Sequence, residues 1–135
     1  MSSTTTTQGA VDIVRQWYEF VMAGDLESAG AMMQDDFVLH EPPGLPYGGE
    51  YHGAAGFFEI MGRINEQFET SLASPVEYFD ATDPVVIHLV GRFTSRATGE
   101  AVEMNVVELY YVRDGKIAEL DVYYKDPTAI AAIAG

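Results

Sequence analysis

AVEMNVVELYYVRDGKIAELDVYY, residues 101–124, reads as two long β-strands joined by one tight turn. Apolar and polar residues alternate with a period of two on both sides of Asp114-Gly115, and Asp-Gly between apolar strands is a strong hairpin signal. Ala101 to Arg113 and Lys116 to Tyr124 are therefore two strands of one meander. Val85 to Thr94 precedes them as a third, across the turn Ala97-Thr98-Gly99-Glu100, and Val76 to Asp80 as a fourth.

Upstream the period changes to that of a helix. Val11, Val14, Tyr18 and Val21 share one face of a helix from Val11 to Met22, with Trp17 beside them. Ala23-Gly24-Asp25 breaks it, with Gly24 suited to a helix end and Asp25 to the next N-cap. Leu26 to Met33 is a short second helix. Asp35-Asp36 reads as a turn and Phe37 to Glu41 as a short strand, stopped by Pro42-Pro43. Pro42 to Gly53, rich in Pro, Gly and Tyr, reads as a loop over a pocket mouth. Ala54 to Phe68 is a third helix, striped by Phe57, Met61, Ile64 and Phe68. Thr128 to Ala134 is a last short one. Helices first and a meander last indicate an α+β fold, a curved antiparallel sheet wrapped around N-terminal helices. Residues 1–9 are expected to be a flexible tail and 10–135 a single domain.

Composition narrows the function. The chain has 135 residues, 47% of them hydrophobic, enough for one core. Seven Lys and Arg face 21 Asp and Glu, for a net charge of −14. Such a surface repels phosphate backbones and anionic bilayers, so neither nucleic acid nor membrane is an expected partner. No stretch reaches the roughly 18 apolar residues of a membrane span, and MSSTTTTQ lacks the features of a secretory signal. The chain has no cysteine, which suits a reducing cytoplasm and removes disulfides and thiolate chemistry. Its three histidines share no ligand spacing, so no metal and no other cofactor is expected. No phosphate-binding glycine loop or nucleophile elbow occurs.

The informative residues are charges in apolar rows. Val102, Met104, Val106, Glu108, Tyr110 and Val112 lie on one face of their strand, and Glu108 is the single charge among them. Burial disfavours its ionised form, so it can remain a neutral acid that donates a hydrogen bond. If the strand faces the other way, or an Arg or Lys pairs with it, the role is lost. Glu41 ends the row Phe37, Leu39, Glu41 just before the Pro-Gly loop, where a carboxylate can act as a general base or simply face solvent. Trp17 and Tyr18 either pack in the core or offer an N–H or O–H to a ligand. Tyr47 and Tyr51 can close over a flat molecule, and Arg92 can pair with an acid in the pocket or point outward. His40, on the more polar face of its strand, is a possible ligand contact, although a surface role suits it better. His52 either caps the third helix or lines the mouth. His88 reads as structural.

The stretch Asp35 to Gly44, DDFVLHEPPG, is similar to the strand, acidic residue, proline and glycine of the ketosteroid isomerase and SnoaL-like polyketide cyclase branch of the nuclear transport factor 2-like superfamily. The opening helix with Ala23-Gly24-Asp25 and the ending Val106 to Ile117, VVELYYVRDGKI, resemble the same branch. The resemblance spans Val11 to Asp126 and implies a cone-shaped, cystatin-like α+β barrel, a homodimer, and a small apolar or aromatic ligand in an internal pocket. In the isomerases the acid before the proline is the base, and Glu41 matches it. The neutral acid of their oxyanion hole matches Glu108 with a one-residue gap, and the tyrosine of their first helix matches Trp17, beside Tyr18. The cyclases carry an acid on the last strand, where Asp121 lies one position early. The row Ala118, Leu120, Val122 and Tyr124 looks inward and leaves Asp121 outside. The resemblance thus implies cofactor-independent proton abstraction alpha to a carbonyl of an apolar cyclic or polyketide-like substrate. A non-catalytic binding module, an epoxide hydrolase or a dehydratase of the same fold are the alternatives.

Overall fold

The computed structural model describes residues 9–79 and 84–135. The tail expected over residues 1–9 therefore lies outside the described residues except for Gly9, and so does Asp80 at the end of the expected Val76–Asp80 strand.

Helix α1 (Ala10–Met22) buries Ile13, Val14 and Trp17 and carries Asp12 in its first turn, where a negative charge suits the exposed N–H groups. It stops at Gly24, whose φ of 77° few other residues adopt. Asp25 then caps α2 (Leu26–Ala31) by accepting from the Ser28 N–H at 3.2 Å. This helix ends two residues earlier than expected, because Met33 already pairs with Ile117. Strand β1 (Met33–Glu41) consequently contains Asp35-Asp36, which is not a turn. The register slips between Met33 and Val38, and Arg113 donates to both Asp36 carboxylate oxygens at 3.0 and 3.3 Å. Long-range pairing overrides the local turn preference.

The expected loop after β1 holds a short strand, β2 (Gly49–His52), antiparallel to β1. Helix α3 (Gly53–Gln67) ends before Phe68, which instead opens β3 (Phe68–Leu72). Then follow β4 (Glu77–Phe79), β5 (Val85–Ser95), β6 (Ala101–Arg113), β7 (Lys116–Tyr124) and α4 (Pro127–Ala134). The β6–β7 turn places Asp114 and Gly115 at φ 53° and 74°, the left-handed pair that a two-residue hairpin requires.

The strand order is β2-β1-β7-β6-β5-β3, with β4 also paired to β5. Every neighbouring pair is antiparallel except one. β1 runs parallel to β7, so the sheet is mixed rather than wholly antiparallel. It curves as expected for a cystatin-like α+β fold but is not closed into a complete barrel. The inward rows Ile87–Leu89–Phe93, Met104–Val106–Tyr110 and Ala118–Leu120–Val122 are buried. Trp17 of α1 and Phe57 and Ile60 of α3 cover them. No helix among the described residues is long and apolar enough to cross a membrane.

Candidate active site

Between α1, α3 and the concave face of the sheet lies a cavity of about 380 Å³. Val21, Met61, Ile64, Leu72, Leu89 and Phe93 make its walls apolar, and two carboxyl groups enter it. Glu41 arrives from the last residue of β1 and Glu108 from the middle of β6. Alternation on a pleated strand sends both inward, because each shares its face with buried Leu39 or Val106. Trp17 and Tyr18 reach in from α1, Tyr110 from β6 and Tyr124 from β7.

The environments of the two acids differ. Tyr110 donates its hydroxyl to Glu108 Oε1 at 2.6 Å. Burial pushes Glu108 up to about 7, and the Tyr110 hydrogen bond pulls against that rise. Glu41 Oε1 is sealed from solvent and has no hydrogen-bond partner among the described residues. Burial first, and then the Glu108 charge, hold Glu41 well above the ordinary carboxylate range. Trp17 Nε1 is likewise buried without a partner. Burial, followed by the Glu108 charge, also raises Tyr18. Tyr124, raised by burial and then by Glu41, shares a 2.8 Å hydrogen bond with Tyr47.

Glu41, Glu108, Trp17 and Tyr18, read separately from the sequence, thus line one cavity. The other expected contacts do not. His40 alternates to the opposite face from Glu41, where Nε2 meets Glu119 at 3.0 Å and Nδ1 meets Glu50 at 3.3 Å. There it borders a surface groove with Asp121, and Glu41 forms part of the wall between groove and cavity. Arg92 sits out of phase with Leu89 and Phe93, and its exposed guanidinium lies 4.0 Å from Glu103. Tyr47 and Tyr51 do not close over the mouth but are buried in the core. Tyr47 packs against Phe68 and Tyr124, and Tyr51 donates to the Tyr47 carbonyl at 2.8 Å. His52 is exposed beside Glu50, and the His88 side chain stands on the outer face of the sheet between Glu77 and Asn105 at 2.7 and 2.8 Å. Asp121 faces outward and accepts from Tyr123.

Sequence reading missed Tyr110 and Tyr124 as site groups. Their signal was present, since both sit in inward rows and Tyr110 follows Glu108 by two residues. Asn65, Thr70 and Ser71 also line the cavity, but two of these lie on β3, a strand whose sequence announces little. Among the described residues no group of three His, Asp or Glu is placed to hold a metal ion.

An open cone of sheet, covered by helices around an apolar cavity that carries two acids, defines an α+β domain built around an internal cavity. The model of the SnoaL-like domain matches residues 14–120, and the chain belongs to that family. An NTF2-like protein from Burkholderia xenovorans LB400 superposes with a TM-score of 0.87 at 23% identity, covering 96% of this chain and 98% of that one. TerC, crystallised with polyporic acid, superposes with a TM-score of 0.79 at 22% identity over 93% and 97% of the two chains. A protein from Mesorhizobium loti described as a candidate SnoaL-like polyketide cyclase gives 0.68 at 29% identity, over 84% and 97%. No curated protein matches the chain.

Proposed function

We propose that this protein is a cofactor-independent acid–base enzyme. It removes a proton alpha to a carbonyl in a neutral, apolar cyclic or polyketide-like molecule, then returns the proton or closes a ring. The supporting observation is that Glu41 and Glu108, from strands distant in sequence, share one apolar cavity. Two carboxyls held out of water by the same walls disfavour each other's charge, so one serves as base and the other as acid. The likeness to the candidate polyketide cyclase supports this substrate class. Epoxide opening of the kind that places an arginine between two aspartates is disfavoured, because Arg92 faces away. The reading includes a cytoplasmic protein that pairs as a homodimer through the outer sheet face, where Val107 and Tyr123 are exposed. Sedimentation at micromolar concentration is expected to give a dimer, and Val107→Glu a monomer.

The test is deuterium uptake by 2-tetralone, an apolar cyclic ketone with acidic alpha protons, followed in D2O by mass spectrometry. The wild-type protein is expected to accelerate uptake, and a Glu-to-Gln change at the base to cut the rate by roughly 10²–10⁴-fold. Binding of the ketone with no acceleration would make the protein a non-catalytic binding module.

A further inference from the structure

Two polar atoms in this interior lack a partner among the described residues: Trp17 Nε1 and Glu41 Oε1. Both belong to side chains that line the cavity. A buried polar group left unpaired costs about as much as a lost hydrogen bond, so such atoms are uncommon and mark places where a catalytic role or a bound molecule accounts for them. An indole N–H is only a donor, and its missing partner is therefore an acceptor. A neutral Glu41 supplies a second donor through its own O–H. Glu108 is placed differently, because the Tyr110 hydroxyl at 2.6 Å favours its carboxylate form. No corresponding group donates to Glu41 Oε1.

We propose that Trp17 and Glu41 form a two-donor site for the substrate carbonyl oxygen, and that Glu108 is the base. This inference rests on the acid–base reading above and reverses the roles that the family resemblance implies. In the step, the proton alpha to the carbonyl moves to the Glu108 carboxylate. The C–H electron pair becomes the C=C bond of an enolate. The negative charge gathers on oxygen, where the Trp17 N–H and the Glu41 O–H receive it. Glu108 then returns its proton to carbon. In a ring closure the enolate carbon instead attacks a second carbonyl of the same molecule, and Glu108 protonates the resulting alkoxide. Burial and the Glu108 charge raise Glu41, which agrees with Glu41 staying neutral when Glu108 ionises.

The test pairs an oxyanion mimic with the exchange reaction. 2-Naphthol binding, followed by its fluorescence, reports the donor site without any turnover. Trp17→Phe and Glu41→Leu are each expected to weaken it by about tenfold, the loss of one hydrogen bond to a charged group. Glu41→Gln, whose amide still donates, and Glu108→Gln are expected to stay within about threefold, given that same scale. In 2-tetralone exchange the order inverts: Glu108→Gln loses roughly 10³-fold, whereas Glu41→Gln loses about tenfold. Glu41→Gln abolishing exchange while Glu108→Gln retains it would overturn the assignment. Tenfold weaker naphthol binding in Glu108→Gln, with Trp17→Phe unchanged, would overturn it too. If the naphthol pattern holds but the wild-type protein does not exchange 2-tetralone, the donor site stands and the enzyme reading fails. If Glu41→Leu does not fold, the two Gln variants and Trp17→Phe decide the matter alone.

Discussion

Burial raises Glu108, and the hydroxyl of Tyr110 pulls against that rise. Removing it in Tyr110→Phe deletes the hydrogen bond that favours the carboxylate, so Glu108 is expected to titrate higher, by about one unit. The acid limb of a kcat/KM profile for 2-tetralone exchange would move up accordingly. A limb that moved down, or did not move, would assign the profile to another group. Those coupled to Glu108 from neighbouring elements are Tyr18, Glu41, Tyr78 and Tyr124. The same burial affects stability. Glu108 rises from 4.5 in the open chain to about 7 in the fold, so the folded state holds its proton longer. Stability is then expected to fall as pH rises from about 4.5 to 7, by about 3 kcal/mol. Glu108→Gln should reduce that slope in urea titrations, leaving the contribution of Glu41, which burial raises in the same direction. Both acids were legible in the sequence because each is a lone charge in an apolar row of period two. Arg92 was not, because Val86 and Val90 on its face are as apolar as parts of the inward row. Tyr47 and Tyr51 lie near a proline-rich stretch, where no period fixes direction.

Among the elements, the long ones were readable and the edge strands were not. β6 and β7 begin and end where alternation and Asp114-Gly115 place them. β3 and β2 are short, largely polar, and exist because β5 and β1 offer free edges. The link between β1 and β2 depends on Gly48. A Cβ there would lie 2.2 Å from the Pro42 carbonyl oxygen and 2.9 Å from Pro43 Cα, both backbone atoms that cannot swing aside. Gly48→Ala is expected to destabilise by more than about 2 kcal/mol. Because Pro42 follows Glu41 directly, the variant should also weaken naphthol binding. Gly62→Ala, on an exposed turn of α3 with open space around the new methyl, should instead stabilise by up to about 1 kcal/mol. Thermal unfolding of the pair checks both signs.

The charge of the whole molecule works against anionic ligands. A net charge of −14 surrounds a cavity that holds two acids and, among the described residues, no Lys, Arg or His. A carboxylate-bearing analogue of 2-tetralone is expected to bind at least tenfold more weakly than the parent ketone at pH 8, from like-charge repulsion in a poorly screened site of roughly one pKa unit or more. Equal affinity by calorimetry would show that a counter-charge reaches the cavity. At this scale the α+β class was readable from helices preceding a meander. The parallel seam was not, since local periodicity cannot show that a first strand will join a last one.

That seam bears on how the protein is made. β1 and β7 lie at opposite ends of the chain, so during synthesis Glu41 emerges long before the strand that helps enclose it. Domains fold as units, and pairings this remote close late. A nascent chain arrested at Arg113 would carry both acids yet bind no naphthol, and binding competence would come only after Tyr124 has cleared the ribosome.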